Sequence, residues 1–169
     1  MKTVFKMAII AIAAVTMSMA AQAQQKGDMA AGANLAIGIG NHYTNVGITG
    51  KFQYNVINPL RLEGSLTFFP KKDYVSFWDV SVNAHYLFPI AERFTIYPLA
   101  GLGIFGSKMN YIGHYSELGS SSSTDVCFNI GGGVDFKLTE KLFLNAELKY
   151  KIVKHWDRFM ISFGAGYKF

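Results

Sequence analysis

Charge is scarce in this sequence. Asp, Glu, Lys and Arg make up 16% of its 169 residues, against about 25% in ordinary soluble domains. Cysteine is scarcer still: Cys127 stands alone, so no intramolecular disulfide can form even in a compartment that permits one. Past residue 23 no uninterrupted apolar run reaches the ~20 residues a membrane-spanning helix needs. These absences exclude a disulfide-stapled scaffold and a helical membrane protein. Aromatic, glycine and β-branched residues are plentiful instead.

The first residues read as an export signal. Lys2 and Lys6 form a basic start, Met7 to Met19 is an uncharged apolar run of 13 residues, and Ala21-Gln22-Ala23 offers small residues for cleavage. The run is short for a spanning helix, and no cysteine near the cleavage site offers a lipid anchor. Residues 1–23 are thus expected to be a cleaved signal peptide, and residues 24–169 one mature domain. Cleavage removes two lysines and lowers the formal charge from +5 to +3. The basic balance is then weak support for a nucleic-acid partner, and none is expected.

Within the mature part, every second residue belongs to one of two unlike sets. Phe159, Ile161, Phe163, Ala165, Tyr167 and Phe169 alternate with Arg158, Met160, Ser162, Gly164, Gly166 and Lys168. Strict alternation means a strand with a different environment on each face. Residues 142–153 behave alike, and similar segments lie near 31–40, 46–56, 60–69, 76–88, 94–106 and 125–138. That gives eight strands, each near the ~9–11 residues of a tilted transmembrane strand. Short turns at Asn58-Pro59, 89–93 and 139–141 alternate with longer connections at 70–75 and 107–124. The connections at 42–45 and 154–157 are short exceptions. Pro98 falls inside the fifth segment, where a bulge or local defect is expected because proline cannot donate to a ladder.

The placement of charge separates a membrane barrel from a soluble one. Lys51, Arg61, Glu63, Asp79, Asp135, Lys137, Glu147, Lys149, Lys151, Arg158 and Lys168 all fall on the polar set. The apolar set, from Leu35 and Ile37 through Val46, Ile48 and Val56 to Phe163, carries no charge. A charge facing hydrocarbon costs ~2–4 kcal/mol at the bilayer midplane, whereas a soluble barrel places its charges outside. Aromatics on the apolar set fall near both ends, Tyr54, Tyr86, Phe88, Phe94, Phe136, Tyr167 and Phe169 at one and Phe68, Trp78, Tyr150 and Phe159 at the other. Two belts at headgroup depth follow. Open edges are not tolerated in lipid, so the strands must close. The fold expected is an all-β, eight-stranded antiparallel up-and-down transmembrane barrel.

An interior of that size is filled by side chains. The charged residues from Lys51 to Arg158 are expected to form a polar plug, with Gly38, Gly101, Gly103, Gly131, Gly133, Gly164 and Gly166 making room. Ser81 and His85 share a face, but on a strand that spacing sets them ~13 Å apart with no third residue to orient the histidine. No catalytic residue, metal site or cofactor is expected. His42, His114 and His155 fall in different loops, the glycine runs lack a following helix to hold phosphate, and Cys127 reads as a buried thiol near the outer rim.

These eight segments, with the closing Tyr167-Lys168-Phe169, resemble the small outer-membrane barrels of the OmpX and OmpA type. Tyr97-Pro98-Leu99-Ala100-Gly101-Leu102-Gly103 and Gly164-Ala165-Gly166-Tyr167 resemble the outer membrane protein beta-barrel family common in Bacteroidota. The resemblance implies a Gram-negative outer-membrane location with membrane lipid as surroundings. It also implies that Tyr167 and Phe169 act as the signal read by the barrel-assembly machinery. The leading functional expectation is a monomeric structural or surface-interaction barrel, not an enzyme. Its ligand contacts would lie in loop 107–124, at Tyr111, His114 and Tyr115. A narrow pore for small solutes or ions comes second, and a lipid A-modifying enzyme third.

Overall fold

A computed structural model describes residues 26–40, 44–72, 75–110, 120–154 and 157–169. The expected signal peptide, the loop contacts Tyr111, His114 and Tyr115, and the loop histidines His42 and His155 lie outside the described residues.

Alternation and closure together give a barrel of eight strands: Met29–Gly40, Thr44–Ile57, Leu60–Lys72, Val75–Tyr86, Phe94–Asn110, Ser120–Lys137, Leu142–Val153 and Arg158–Lys168. The two-residue strand Phe88–Pro89 continues the fourth. Each strand pairs antiparallel with its sequence neighbours, and the first pairs with the eighth from Ala30↔Lys168 to Gly40↔Arg158. That seam closes the sheet and leaves no edge in the bilayer. Turns near 58–59, 90–93 and 138–141 gather at one end, with both chain ends of the barrel. Strand ends Gly40, Thr44, Lys72, Val75, Asn110, Ser120, Val153 and Arg158 gather at the other, taken as outer in an up-and-down barrel.

The outer face is apolar and exposed: Leu35, Val46, Ile48, Leu66, Val82, Leu102, Val126, Phe128 and Ile130 all stand clear of the protein. Rings meet at both rims. Tyr86 packs on Phe88 and Phe94 on Phe136 at the inner end, each pair 4.8 Å between centroids, and Tyr150 packs on Phe159 at the outer end, also 4.8 Å. These are the two belts expected at headgroup depth.

Three local details differ from the sequence reading. The register shifts between Asn55 and Ile57, so Val56 is half-buried and Ile57 takes the exposed place facing Leu60. Pro98 produces no bulge. The fourth and fifth strands keep one register from Val75↔Met109 through His85↔Leu99 to Phe88↔Ile96, and the ladder lapses only at Tyr86 and Leu87, opposite Pro98 and Tyr97. Leu87 sends its N–H to the Pro59 carbonyl, just before the third strand, so its neighbour Tyr86 turns its backbone groups toward Pro98, where the donor is missing. Third, the fifth and sixth strands run on to Asn110 and back from Ser120, pairing without interruption. Residues 107–110 and 120–124 of the segment expected as loop 107–124 are therefore strand.

Candidate functional site in the barrel lumen

Alternation turns a second set of side chains into the lumen, and the registers decide which of them meet. Lys51 on the second strand and Lys149 on the seventh sit between two carboxylates. Lys51 Nζ is 2.6 Å from Glu147 Oε1 and 3.5 Å from Glu63 Oε2. Lys149 Nζ is 3.0 Å from Glu147 Oε2 and 3.9 Å from Glu63 Oε1. All four side chains are fully buried. Such a two-by-two arrangement balances its charge internally, which is what burial of ions requires.

Neutral donors complete the layer. Gln53 Nε2 donates to Glu63 Oε2 at 2.9 Å, Asn83 Nδ2 to Glu63 Oε1 at 3.3 Å, and the Tyr97 hydroxyl to Glu147 Oε1 at 2.9 Å. Asn129 donates to Asn83 at 2.9 Å, and Asn34 to Asn145 at 2.5 Å.

Nearer the inner end, Arg61 pairs with Asp135 at 2.6 Å and lies over the Tyr97 ring, 4.6 Å from its centroid. His85 also stacks on Tyr97, 4.6 Å between centroids and nearly parallel to it, and touches Arg61 directly. Toward the outer end Lys151 pairs with Asp79 and donates to Ser81 at 3.2 Å, while Ser81 donates to Asp79 at 3.0 Å. Cys127 is fully buried beside this pair, with Sγ 3.9 Å from both Asp79 Oδ2 and Lys151 Nζ.

Lys137 departs from the expected network: it is the last residue of the sixth strand, exposed at the inner rim. A strand's inward parity carries a side chain into the lumen only while neighbours surround it. Lys168, also at that rim, pairs with Asp28 at 2.5 Å. Several of the expected inward glycines leave no room for a side chain. A Cβ at Gly133 would lie 2.6 Å from the Tyr97 hydroxyl, and at Gly131 it would strike the Leu148 carbonyl.

Ser81 and His85 serve different layers, Ser81 beside Lys151 and His85 beside Arg61. Glu63, His85 and Glu147 bring donor atoms within 4.8 Å of one another, which in distance alone would suit a divalent cation. The surrounding charges oppose it. Arg61 Nε donates to His85 Nδ1 at 3.2 Å, which leaves the ring proton on Nε2, facing Glu63 Oε1 at 3.9 Å. Lys51 and Lys149 already occupy the carboxylates, and a dication would enter among three cationic groups.

Sequence reasoning missed an apolar stretch of the lumen. Phe69, Phe77 and Phe105 point inward at the outer end, where Ala36, Cys127, Val153 and Met160 complete a buried cluster. Their strand parity alone puts all three rings on the inner face, but the expectation of a polar plug left them unnoticed.

A family model described as the outer membrane protein beta-barrel domain matches residues 8–169. The chain belongs to that family. Several solved barrels share its fold. Neisserial surface protein A is 20% identical, with a TM-score of 0.64 over 84% of this chain and 96% of its own. The Yersinia pestis attachment invasion locus protein Ail is 23% identical, with a TM-score of 0.62 over 86% of this chain and all of its own. The N-terminal barrel domain of Pseudomonas aeruginosa OprF is 19% identical, at a TM-score of 0.62 over 86% of this chain and all of its own. No curated protein matches the sequence. This outer-membrane barrel thus shares its architecture, rather than a detailed sequence, with proteins of the same compartment.

Proposed function

We propose that the barrel is a surface-interaction protein whose outer hairpin binds an extended segment of an extracellular partner protein along an open strand edge. The observation that carries the reading is a mismatch of strand lengths. The sixth strand has 18 residues, well beyond the ~9–11 that cross a bilayer, but its pairing with the seventh strand begins only at Cys127↔Val153. Residues 120–126 pair with the fifth strand alone among the described residues.

Their outer edge therefore presents backbone groups in the geometry of a sheet awaiting a strand. Lys137 sends its N–H toward the fifth-strand side, to the Arg93 carbonyl. The unbroken register then turns the N–H groups of Ser122, Thr124 and Val126 to the open edge. Edges not meant for pairing are usually blunted by proline, lysine or a bulge; the stretch Ser-Ser-Ser-Ser-Thr-Asp-Val has one charge, Asp125, and none of these devices. The neighbouring residues Tyr111, His114 and Tyr115 would add side-chain contacts.

In this reading the protein is exported by the signal in residues 1–23, enters the membrane through recognition of Tyr167 and Phe169, and works as a monomer. The lumen, filled by its ion network, supports the shape and carries no catalysis or general pore.

Panning a random 12-residue peptide library on the barrel in nanodiscs tests the reading. Peptides alternating β-branched residues should be enriched over empty nanodiscs, and Thr124→Pro should weaken them at least tenfold, because it deletes one edge donor and leaves the fifth-strand pairing intact. Absence of enrichment, or peptides indifferent to the proline, would refute it.

A further inference from the structure

We infer that Phe69, Phe77, Phe105 and Arg158 form an apolar gate at the outer mouth, closing the polar lumen to small solutes from outside. The four side chains come from three adjacent strands, the third, fourth and fifth, and from the eighth across the lumen. The Arg158 guanidinium lies 4.3 Å from the Phe105 centroid, 4.8 Å from Phe77 and 5.5 Å from Phe69. Phe77 and Phe105 stack at 5.5 Å. Each of the four is buried to within 3%.

The backbone is cut to fit this collar. A Cβ at Gly47 would stand 2.6 Å from the Phe69 ring, and one at Gly38 would touch both Phe69 and Arg158 at 3.4 Å. Both positions lie on the inner face of adjacent strands, and a side chain at Gly47 would displace the Phe69 ring.

A ring of aromatic side chains excludes water from a narrow lumen, as hydrophobic constrictions do in channels. The guanidinium provides a latch, since cation–π attraction holds it against several ring faces at once. Beneath the collar the environment changes abruptly. Cys127 belongs to the same buried cluster, and the Lys151–Asp79 pair lies directly beside it. The opposite end of the lumen is finished differently: a shallow cavity there is lined by Gln53, Asn55, Arg61 and Lys168 together with Met29, Ala30 and Phe143. The barrel thus carries an aromatic collar at its outer end and a mixed polar and apolar lining at its inner end.

Cys127, the single thiol, is a built-in reporter of this gate. The refolded full chain in nanodiscs would be exposed to sulfonatoethyl methanethiosulfonate, a small anionic thiol reagent, and modification followed by mass. The native thiol should react at least a hundredfold more slowly than in urea. Phe105→Ala should accelerate the reaction at least tenfold, and Phe105→Val, a milder change that keeps more of the packing, should accelerate it less. Phe143→Ala, at the inner end, should leave Cys127 protected. Heat-modifiable migration would establish that each variant is folded. Rapid labelling of the native protein would overturn the inference. So would full protection in folded Phe105→Ala and Phe105→Val, or equal acceleration by Phe143→Ala, which would mean general loosening.

Discussion

Glu147 is the residue on which the lumen most depends. It accepts from the Tyr97 hydroxyl and pairs with both Lys51 and Lys149, so its removal strands two buried ammonium groups together. Breaking a buried pair from one side costs ~3–5 kcal/mol. Glu147→Ala should therefore lose stability of about that size in urea unfolding from lipid vesicles. Glu147→Gln, which keeps an acceptor for Tyr97 but not the charge, should lose less. The double change Lys51→Met with Glu147→Leu should recover more than half of the loss, because Lys149 then keeps Glu63. Equal stability of Glu147→Ala and the native protein would show that the network is not a structural element. Parity in the sequence placed Glu147, Lys149 and Lys51 on the inner face, but their partnership was not legible. It depends on which strands lie across the lumen after closure, and only the registers settle that. Lys137 shows the converse, a residue of correct parity left in solvent because its strand ends there.

At the scale of elements, alternation was legible wherever both environments were sharply different. The last two strands, with six outward apolar positions each, could be read directly. The upper part of the fifth–sixth hairpin could not, because serine and glycine have low strand preference and the segment reads as loop. Its strand geometry comes from pairing, Ser107 with Ser123 and Lys108 with Ser122, a nonlocal fact. Pro98 is the other case. Its cost was evident from the missing N–H, but its accommodation was not, since the ladder resumes beyond it in the same register. Pro98→Val should supply a donor to the Tyr86 carbonyl and an apolar side chain to the lipid. A gain of about 1 kcal/mol is expected for one added backbone hydrogen bond, measurable by the same unfolding assay. No gain would mean that the lapse has another origin.

For the whole molecule, closure rests on the seam between the first and eighth strands. Beyond the seam's last pairs, the Phe169 N–H reaches the Met29 carbonyl at 3.1 Å, and its ring approaches Phe52 at 6.4 Å between centroids. These contacts are too few to decide folding by themselves, so deleting Phe169 separates two roles. Refolding of the purified truncation into detergent should remain close to native. In cells the truncated chain should accumulate outside the membrane and fail to show heat-modifiable migration, as expected if the terminal residues are read during assembly. Normal insertion in cells would remove that role. The fold and compartment were legible because a bilayer constrains every outward position, whereas a protein ligand of the kind proposed would constrain only one short edge.

The ion pairs across the lumen have a consequence for how the barrel enters the membrane. Arg61 and Asp135 are 74 residues apart in the chain, and Asp79 and Lys151 are 72 apart. A sheet of four or five strands would hold many of these charges without their partners, facing hydrocarbon on the side that later becomes the interior. Such partial sheets are costly in lipid, and each charge is compensated only when the last strands arrive. Insertion should accordingly be all-or-none, with the charged interior penalising every intermediate that stops short of the seam.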